Sequence, residues 1–299
     1  MEKFLLVDNI KKSFGQKTVL DGISFEINKN EIVGLLGRNG SGKSTLMKII
    51  CGLQNPSSGN VRVCDFDIKK EREKVLENLG VSIENPALYT SLSGLDNLKL
   101  MATWTNSSKE RIDEMVAYSG LGHKINYKVS TYSMGMKMRL MLAMVLMSKP
   151  KLIMLDEPMN GLDPDGVIEL RKELEDLRDQ GCAVLLSSHQ LSEMEKVTDR
   201  IVMIEGGKVV LDDYIGDLKN TNTYLIKTSD KERALKELET SAYKVEPCKK
   251  PDKKDYLEVA IEGEKLEALI LFLVEKKINV LDIEKSFRTL EDLYESIIS

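Results

Sequence analysis

The octapeptide Gly37-Arg38-Asn39-Gly40-Ser41-Gly42-Lys43-Ser44 constrains this chain more than any other stretch. It fits the pattern GxxxxGK[ST]. It also lies between an apolar run, Ile32-Val33-Gly34-Leu35-Leu36, that reads as a buried strand, and a helix expected from Lys43 to about Cys51. In that setting the loop's backbone N–H groups curl around anionic oxygens, and the dipole of the following helix adds to their pull. Lys43 is spaced to reach the β- and γ-phosphates of a nucleoside triphosphate, and Ser44 to offer a hydroxyl to Mg2+. Gly37, Asn39, Gly40, Ser41, Gly42, Lys43, Ser44 and the adjacent Thr45 are the expected nucleotide-binding residues. The bland alternative, a chance glycine turn, has to match both the pattern and its strand-to-helix setting.

A second apolar strand, Leu152-Ile153-Met154-Leu155, ends in Asp156-Glu157. A carboxylate at the C-terminal end of a parallel strand comes close to such a loop. Asp156 is suited to hold Mg2+ through its waters, and Glu157 to polarise an attacking water. Either acid alone reads equally well as a solvated strand end.

Four further segments follow the same order and spacing as one family. Ser133-Met134-Gly135-Met136-Lys137, preceded by Tyr132, resembles the LSGGQ-type signature of ATP-binding-cassette (ABC) ATPases, with methionine at two of its positions. Asn160-Gly161-Leu162-Asp163-Pro164 looks like their D-loop and Ser187-Ser188-His189 like their switch-histidine segment. Phe14 stands where the family places an aromatic that stacks on adenine. The resemblance covers roughly residues 1–218.

It implies that Ser133 and Gly135 contact the γ-phosphate of ATP held by an opposite domain. It further implies that His189 bridges that phosphate and the water at Glu157, and that Asp163 joins the two sites. ATP and Mg2+ are the implied cofactors. The implied partners are a second ATPase subunit, expected to be an identical chain, and separate transmembrane permease subunits at the cytoplasmic face of the membrane. Taken singly, Ser133 reads as a helix N-cap, His189 as a structural histidine and Phe14 as core. The methionines from Met134 to Met147 read as core filler.

One position departs from the family. Glu84, in Val81-Ser82-Ile83-Glu84-Asn85-Pro86, stands where glutamine is usual. Glutamine donates and accepts, whereas an ionised glutamate only accepts, so this residue would ligate Mg2+ more strongly while adding negative charge. The variant resembles ABC ATPases of lantibiotic immunity and bacitracin resistance, which implies a peptide-antibiotic cargo.

The expected fold is α/β. Residues 1–218 form a P-loop NTPase core with a parallel sheet, an antiparallel β lobe and a helical lobe. Residues 219–299 form a small α/β domain, joined by a polar linker, Lys219-Asn220-Thr221-Asn222-Thr223, and its order βαββαβ is ferredoxin-like. Glu169, Lys172, Glu173, Glu175 and Asp176 read as a solvated helix face, and the stretch from Lys249 to Lys254 as an exposed loop. A net charge of −5 with dispersed Lys and Arg disfavours nucleic acid. The four cysteines form no CxxC pair, so they read as reduced thiols. The start lacks the apolar run of a signal peptide, and no run of ~18 apolar residues predicts a membrane span. Only about 90 residues separate Lys43 from Ser133, too few for the coiled coil of DNA-repair ABC ATPases. An ATPase that moves no cargo, acting as an ATP-gated clamp, is the competing class.

Overall fold

A computed structural model of the protein describes residues 2–83, 88–219, 222–241, 243–248, 253–261, 266–286 and 289–298. Glu84 and residues 249–252 of the lysine-rich loop lie outside the described residues. The chain divides into two compact units, residues 1–215 and 216–297.

The first unit is built on a six-stranded sheet. Its order is Lys208–Tyr214, Arg200–Glu205, Ile32–Leu36, Ala183–Ser187, Leu152–Asp156, Leu79–Ser82. All neighbours run parallel except Lys208–Tyr214, which turns back from Arg200–Glu205 across Gly206-Gly207. The three central strands are buried at every residue. That explains their unbroken apolar sequence, since a parallel sheet is covered on both faces. A second, antiparallel sheet has the order Lys17–Asn28, Lys3–Phe14, Ser58–Val63, Phe66–Asp67. Its inward residues Leu5, Val7, Ile10, Ile23 and Ile27 share one core with Leu46, Met47 and Ile50 of the helix Lys43–Ile50 and with Met154, Leu185 and Val202 of the parallel sheet. The helix that follows the phosphate loop is thereby fixed by apolar packing along its length.

A helical lobe interrupts the core between Ser82 and Leu152. It holds Gly94–Trp104, Lys109–Tyr118 and Met134–Val145. Each begins at a serine whose hydroxyl accepts from the third residue on: Ser93 from Asp96 N, Ser108 from Arg111 N, Ser133 from Met136 N. Those hydroxyls satisfy donors that a helix start otherwise leaves open. Asn97 is fully buried and pins the segment entering this lobe, accepting from Tyr89 N at 2.9 Å and donating to Tyr89 O and Ser93 O.

The second unit runs strand Thr223–Thr228, helix Lys231–Glu239, strands Lys244–Pro247 and Tyr256–Ala260, helix Leu266–Glu275, strand Val280–Lys285 and helix Leu290–Ile298. Its sheet places the third strand beside the first, with the second and fourth at the edges, all antiparallel. That is the ferredoxin-like arrangement the element order predicted. Ile226, Leu257 and Val259 pack against Ala234, Leu238, Leu269 and Leu273 of the two covering helices.

Some local readings need correction. Lys219 is not linker but the end of a short helix, Ile215–Lys219, and Thr223 already belongs to a strand. The helices Arg72–Glu77 and Leu191–Val197 were not read from the sequence, being too short to show a period. Glu173 is not on a solvated face, because its carboxylate accepts the Tyr118 hydroxyl at 2.6 Å, and burial with that neighbour pushes the Tyr118 phenol far up. Lys253 is no free loop cation either: it pairs with Glu284 at 2.5 Å and lies over the Tyr256 ring. The four cysteines are unpaired, as expected.

One buried charge cluster ties the first unit's two sheets together. Arg200 donates to Glu31 at 2.7 Å, to Asp212 at 2.5 Å and to the carbonyl of Glu26. Removing the guanidinium leaves the buried Glu31 carboxylate without its cation. Arg200→Ala is expected to cost roughly 3–5 kcal/mol, read as a lower urea midpoint for unfolding of the first unit.

Candidate functional site: a phosphate loop beside paired carboxylates

The loop after Ile32–Leu36 is shaped by two glycines. A Cβ on Gly37 would lie 2.3 Å from the Ile204 carbonyl oxygen. Gly42 has φ 108 at the N-cap of Lys43–Ile50, and a Cβ there would meet Leu20 at 2.5 Å. Only glycine allows both the close approach and the left-handed turn. The consequence is a helix start whose backbone N–H groups face a cavity of about 270 Å3. Asn39, Gly40, Gly42, Lys43, Ser44, Thr45, Asp156, Glu157 and Val19 line it.

Lys43 is buried, and its ammonium donates to the carbonyls of Gly37 at 2.7 Å and Arg38 at 3.3 Å. Burial lowers its pKa; the carboxylates of Glu157, Asp156 and Glu205 oppose that. The hydroxyl of Ser41 is buried without a hydrogen-bond partner. A desolvated cation, an unsatisfied hydroxyl and converging backbone donors fit a polyphosphate, whose oxygens supply the acceptors these groups lack. Ser44 and Asp156 lining the same cavity give a hydroxyl and a carboxylate, oxygen donors of the kind a hard divalent cation takes alongside phosphate. No cluster of three or more metal-ligating side chains occurs among the described residues, so such an ion would depend on nucleotide and water for its remaining ligands.

The carboxylates are set by the neighbouring strand. Register places Ser187 beside Asp156 on one side and Leu35 on the other. The Ser187 hydroxyl donates to Asp156 Oδ1 and accepts from the Glu157 N–H at 3.1 Å. Glu157 itself adopts φ 52, the left-handed region that costs a non-glycine residue about 1–2 kcal/mol. That turn sends its side chain to His189, with Oε2 2.8 Å from Nδ1. A carboxylate only accepts, so Nδ1 carries the hydrogen and Nε2 is left to act elsewhere. Ser187 is the functional residue that sequence reasoning missed. The sequence shows it only as part of the histidine's segment, although a polar residue ending an apolar strand is a visible signal.

The other expected residues are not gathered here. Ser133 caps its helix and is exposed, and Asp163 caps Pro164–Asp179 by accepting from Gly166 N at 3.0 Å. These two segments meet each other, since the Met134 methyl lies 3.3 Å from where a Gly161 Cβ would be. A Cβ on Gly135 would meet nothing within 4 Å. Packing inside the chain therefore does not require a glycine there. Phe14 is not core: it is 48% exposed, near the turn of the hairpin that also carries Val19 into the cavity.

Residues 20–160 match the ABC transporter family. An uncharacterised ABC transporter ATP-binding protein of Bacillus subtilis, YhcH, is 37% identical over 98% of this chain and 95% of its own length. The chain belongs to the ABC transporter ATP-binding proteins. The lantibiotic transport ATP-binding protein SrtF of Streptococcus pyogenes is 40% identical over 70% of this chain and 90% of its own length. The bacitracin transport ATP-binding protein BcrA of Enterococcus faecalis is 38% identical over 81% of this chain and 80% of its own. Among solved structures, cbiO1 of Clostridium perfringens, part of the ABC transporter complex cbiONQ, superposes with a TM-score of 0.66 at 28% identity. It covers 73% of this chain and 90% of its own. The family's activity, ATP hydrolysis coupled to transport, is the activity of this ABC subunit.

Ser187→Ala removes the hydroxyl between the Asp156 carboxylate and the Glu157 backbone N–H without touching either acidic side chain. Turnover of the ABC subunit is expected to fall about 10–100-fold with ATP affinity changed far less. Steady-state ATPase assays beside equilibrium nucleotide binding check this.

Proposed function

We propose that two copies of this chain close head to tail on two ATP molecules and drive the expulsion of a peptide antibiotic through separate permease subunits. The observation that carries the reading is the separation of the site within one chain. Lys43, Asp156, Glu157 and His189 stand at the phosphate cavity, while Ser133 and Gly135 face open space elsewhere. In the closed pair, Ser133 and Gly135 of one copy contact the γ-phosphate held by the other. Asp163 links the two sites. Lys43 neutralises the β- and γ-phosphates, Ser44 and Asp156 hold Mg2+, and Glu157 orients the attacking water with His189 fixing its carboxylate. Phe14, being exposed, offers a stacking surface to the adenine. Glu84, standing where the family has glutamine, senses the metal.

Permease subunits dock on the helical lobe. A groove of about 970 Å3 runs between Glu73, Glu77, Val81 and Arg111, with Trp104 on its lip, 62% exposed and paired with Tyr89. An exposed tryptophan beside a wide groove is the kind of anchor partner helices use. No helix among the described residues is long and apolar enough to cross a membrane. Attachment at the cytoplasmic face runs through the permease in this reading. The antibiotic cargo rests on the names of the lantibiotic and bacitracin relatives.

Glu157→Gln keeps the shape of the side chain while removing its charge. With Mg-ATP, light scattering is expected to show this variant shifting from monomer to dimer mass in its ATP-dependent step. Adding Gly135→Asp should abolish the shift while each chain still binds ATP. Retention of the shift sinks the head-to-tail reading. For the cargo, deletion of the chain should sensitise cells to a lantibiotic or bacitracin. Trp104→Asp should reproduce that sensitivity without lowering the isolated chain's ATPase rate.

A further inference from the structure

Two helices of the first unit carry parts of the proposed machinery yet do not pack directly along their whole length. Met134–Val145 begins at Ser133, and Pro164–Asp179 begins at Asp163. Between them lies a cavity of about 370 Å3, lined by Gly135, Met138 and Leu142 of the first helix and by Leu162, Gly166 and Leu170 around the second. Dispersion across such a gap is weak, because a void removes the partner atoms on one side. At their starts the segments meet through Met134 and Gly161, but a methionine side chain is unbranched and adaptable. A fixed relation between Ser133 and Asp163 needs directional bonds across the gap.

Two such bonds start from one helix face. Pro164–Asp179 packs on the parallel sheet, burying Leu170, Leu174 and Leu177, and Glu169 and Glu173 lie four residues apart on its other side. Glu173 accepts the Tyr118 hydroxyl at 2.6 Å, and Glu169 meets Arg139 at 2.7 Å. Tyr118 ends the helix Lys109–Tyr118, which packs against Met134–Val145, and Arg139 lies one turn beyond Gly135. The bonds are unequal. Arg139 and Glu169 are both exposed, and an exposed ion pair contributes little. The Tyr118 bond is partly buried and ends on a carboxylate, which makes it the stronger of the two. Burial, then that carboxylate, pushes the phenol far above its ordinary range, so the hydroxyl remains a donor at neutral pH. Lys172 and Asp176, the other charged residues lining the cavity, stand four apart on the same helix with opposite signs and add no net charge between the helices.

We propose that Tyr118 is a positioning residue: its bond to Glu173, with Arg139–Glu169 as a weaker second tie, holds the helix led by Ser133 in fixed relation to the helix led by Asp163. The functional consequence rests on the head-to-tail reading above. In that reading Ser133, Gly135 and Asp163 must all meet the partner at once, so a chain that holds them in register is already in the arrangement that closes. Without the brace only a fraction of chains holds it, and the apparent affinity for the partner falls by that fraction.

Hydrogen exchange of the full-length chain without nucleotide reads the brace directly. Tyr118→Phe keeps the ring and removes the hydroxyl. Amides of Lys109–Tyr118 and Met134–Val145 are expected to exchange several-fold faster, and those of Lys43–Ile50 at the parental rate. In the Glu157→Gln background, Mg-ATP-driven dimerisation should weaken about tenfold, with ATP binding by the single chain unchanged. Raising the chain concentration should restore the dimer in full, which a damaged fold would not allow. Glu173→Gln, whose amide oxygen still accepts the hydroxyl, should fall between the parent and Tyr118→Phe. Arg139→Ala should weaken dimerisation less than about fivefold. Exchange unaltered by Tyr118→Phe overturns the brace. Faster exchange with unaltered dimerisation overturns its positioning role, as does a larger defect from Arg139→Ala than from Tyr118→Phe. A Glu157→Gln chain that never dimerises removes the head-to-tail reading alone, and the exchange rates then decide the brace by themselves.

Discussion

The hydroxyl of Ser187 joins what three parallel strands deliver. It sits between the strand that ends in Asp156-Glu157 and the strand that leads into the phosphate loop, donating to one carboxylate and accepting from the backbone of the next residue. That geometry exists because all three strands run the same way, end at the same level and are buried throughout. Parallel register thus becomes chemistry: one residue of slip would turn Ser187 to the other face and separate the acids from the loop. The antiparallel sheet and the helix Lys43–Ile50 serve the same end, since their shared core prevents the loop from tilting away.

Much of this was legible because the motif residues are constrained by backbone as well as by chemistry. Gly37 and Gly42 are glycine for steric reasons visible in the fold, and Lys43 opens the helix that follows them. The apolar strands were readable for the related reason that two-sided burial leaves no room for polar alternation. The tail was readable too, as its helix Lys231–Glu239 shows a clean division of apolar and charged positions.

Most of what escaped the sequence depends on partners distant along the chain. Ser187 meets Asp156 across 31 residues, and Tyr118 meets Glu173 across 55. Glu173 therefore looked like one more solvated acid. Lys253 likewise looked like a loop cation until Glu284 and Tyr256 surrounded it. Short helices such as Leu191–Val197 carry too little periodicity to announce themselves. Gly135 is the opposite case: the motif singles it out, yet nothing in its own chain explains it.

The left-handed backbone of Glu157 has a bearing on how such a protein ages through mutation. A glycine there would relax the turn, so the substitution that most damages the carboxylate–histidine pair is also one the fold tolerates easily. At this one position folding and chemistry pull the sequence apart, because the side chain that meets His189 is not the residue its backbone prefers.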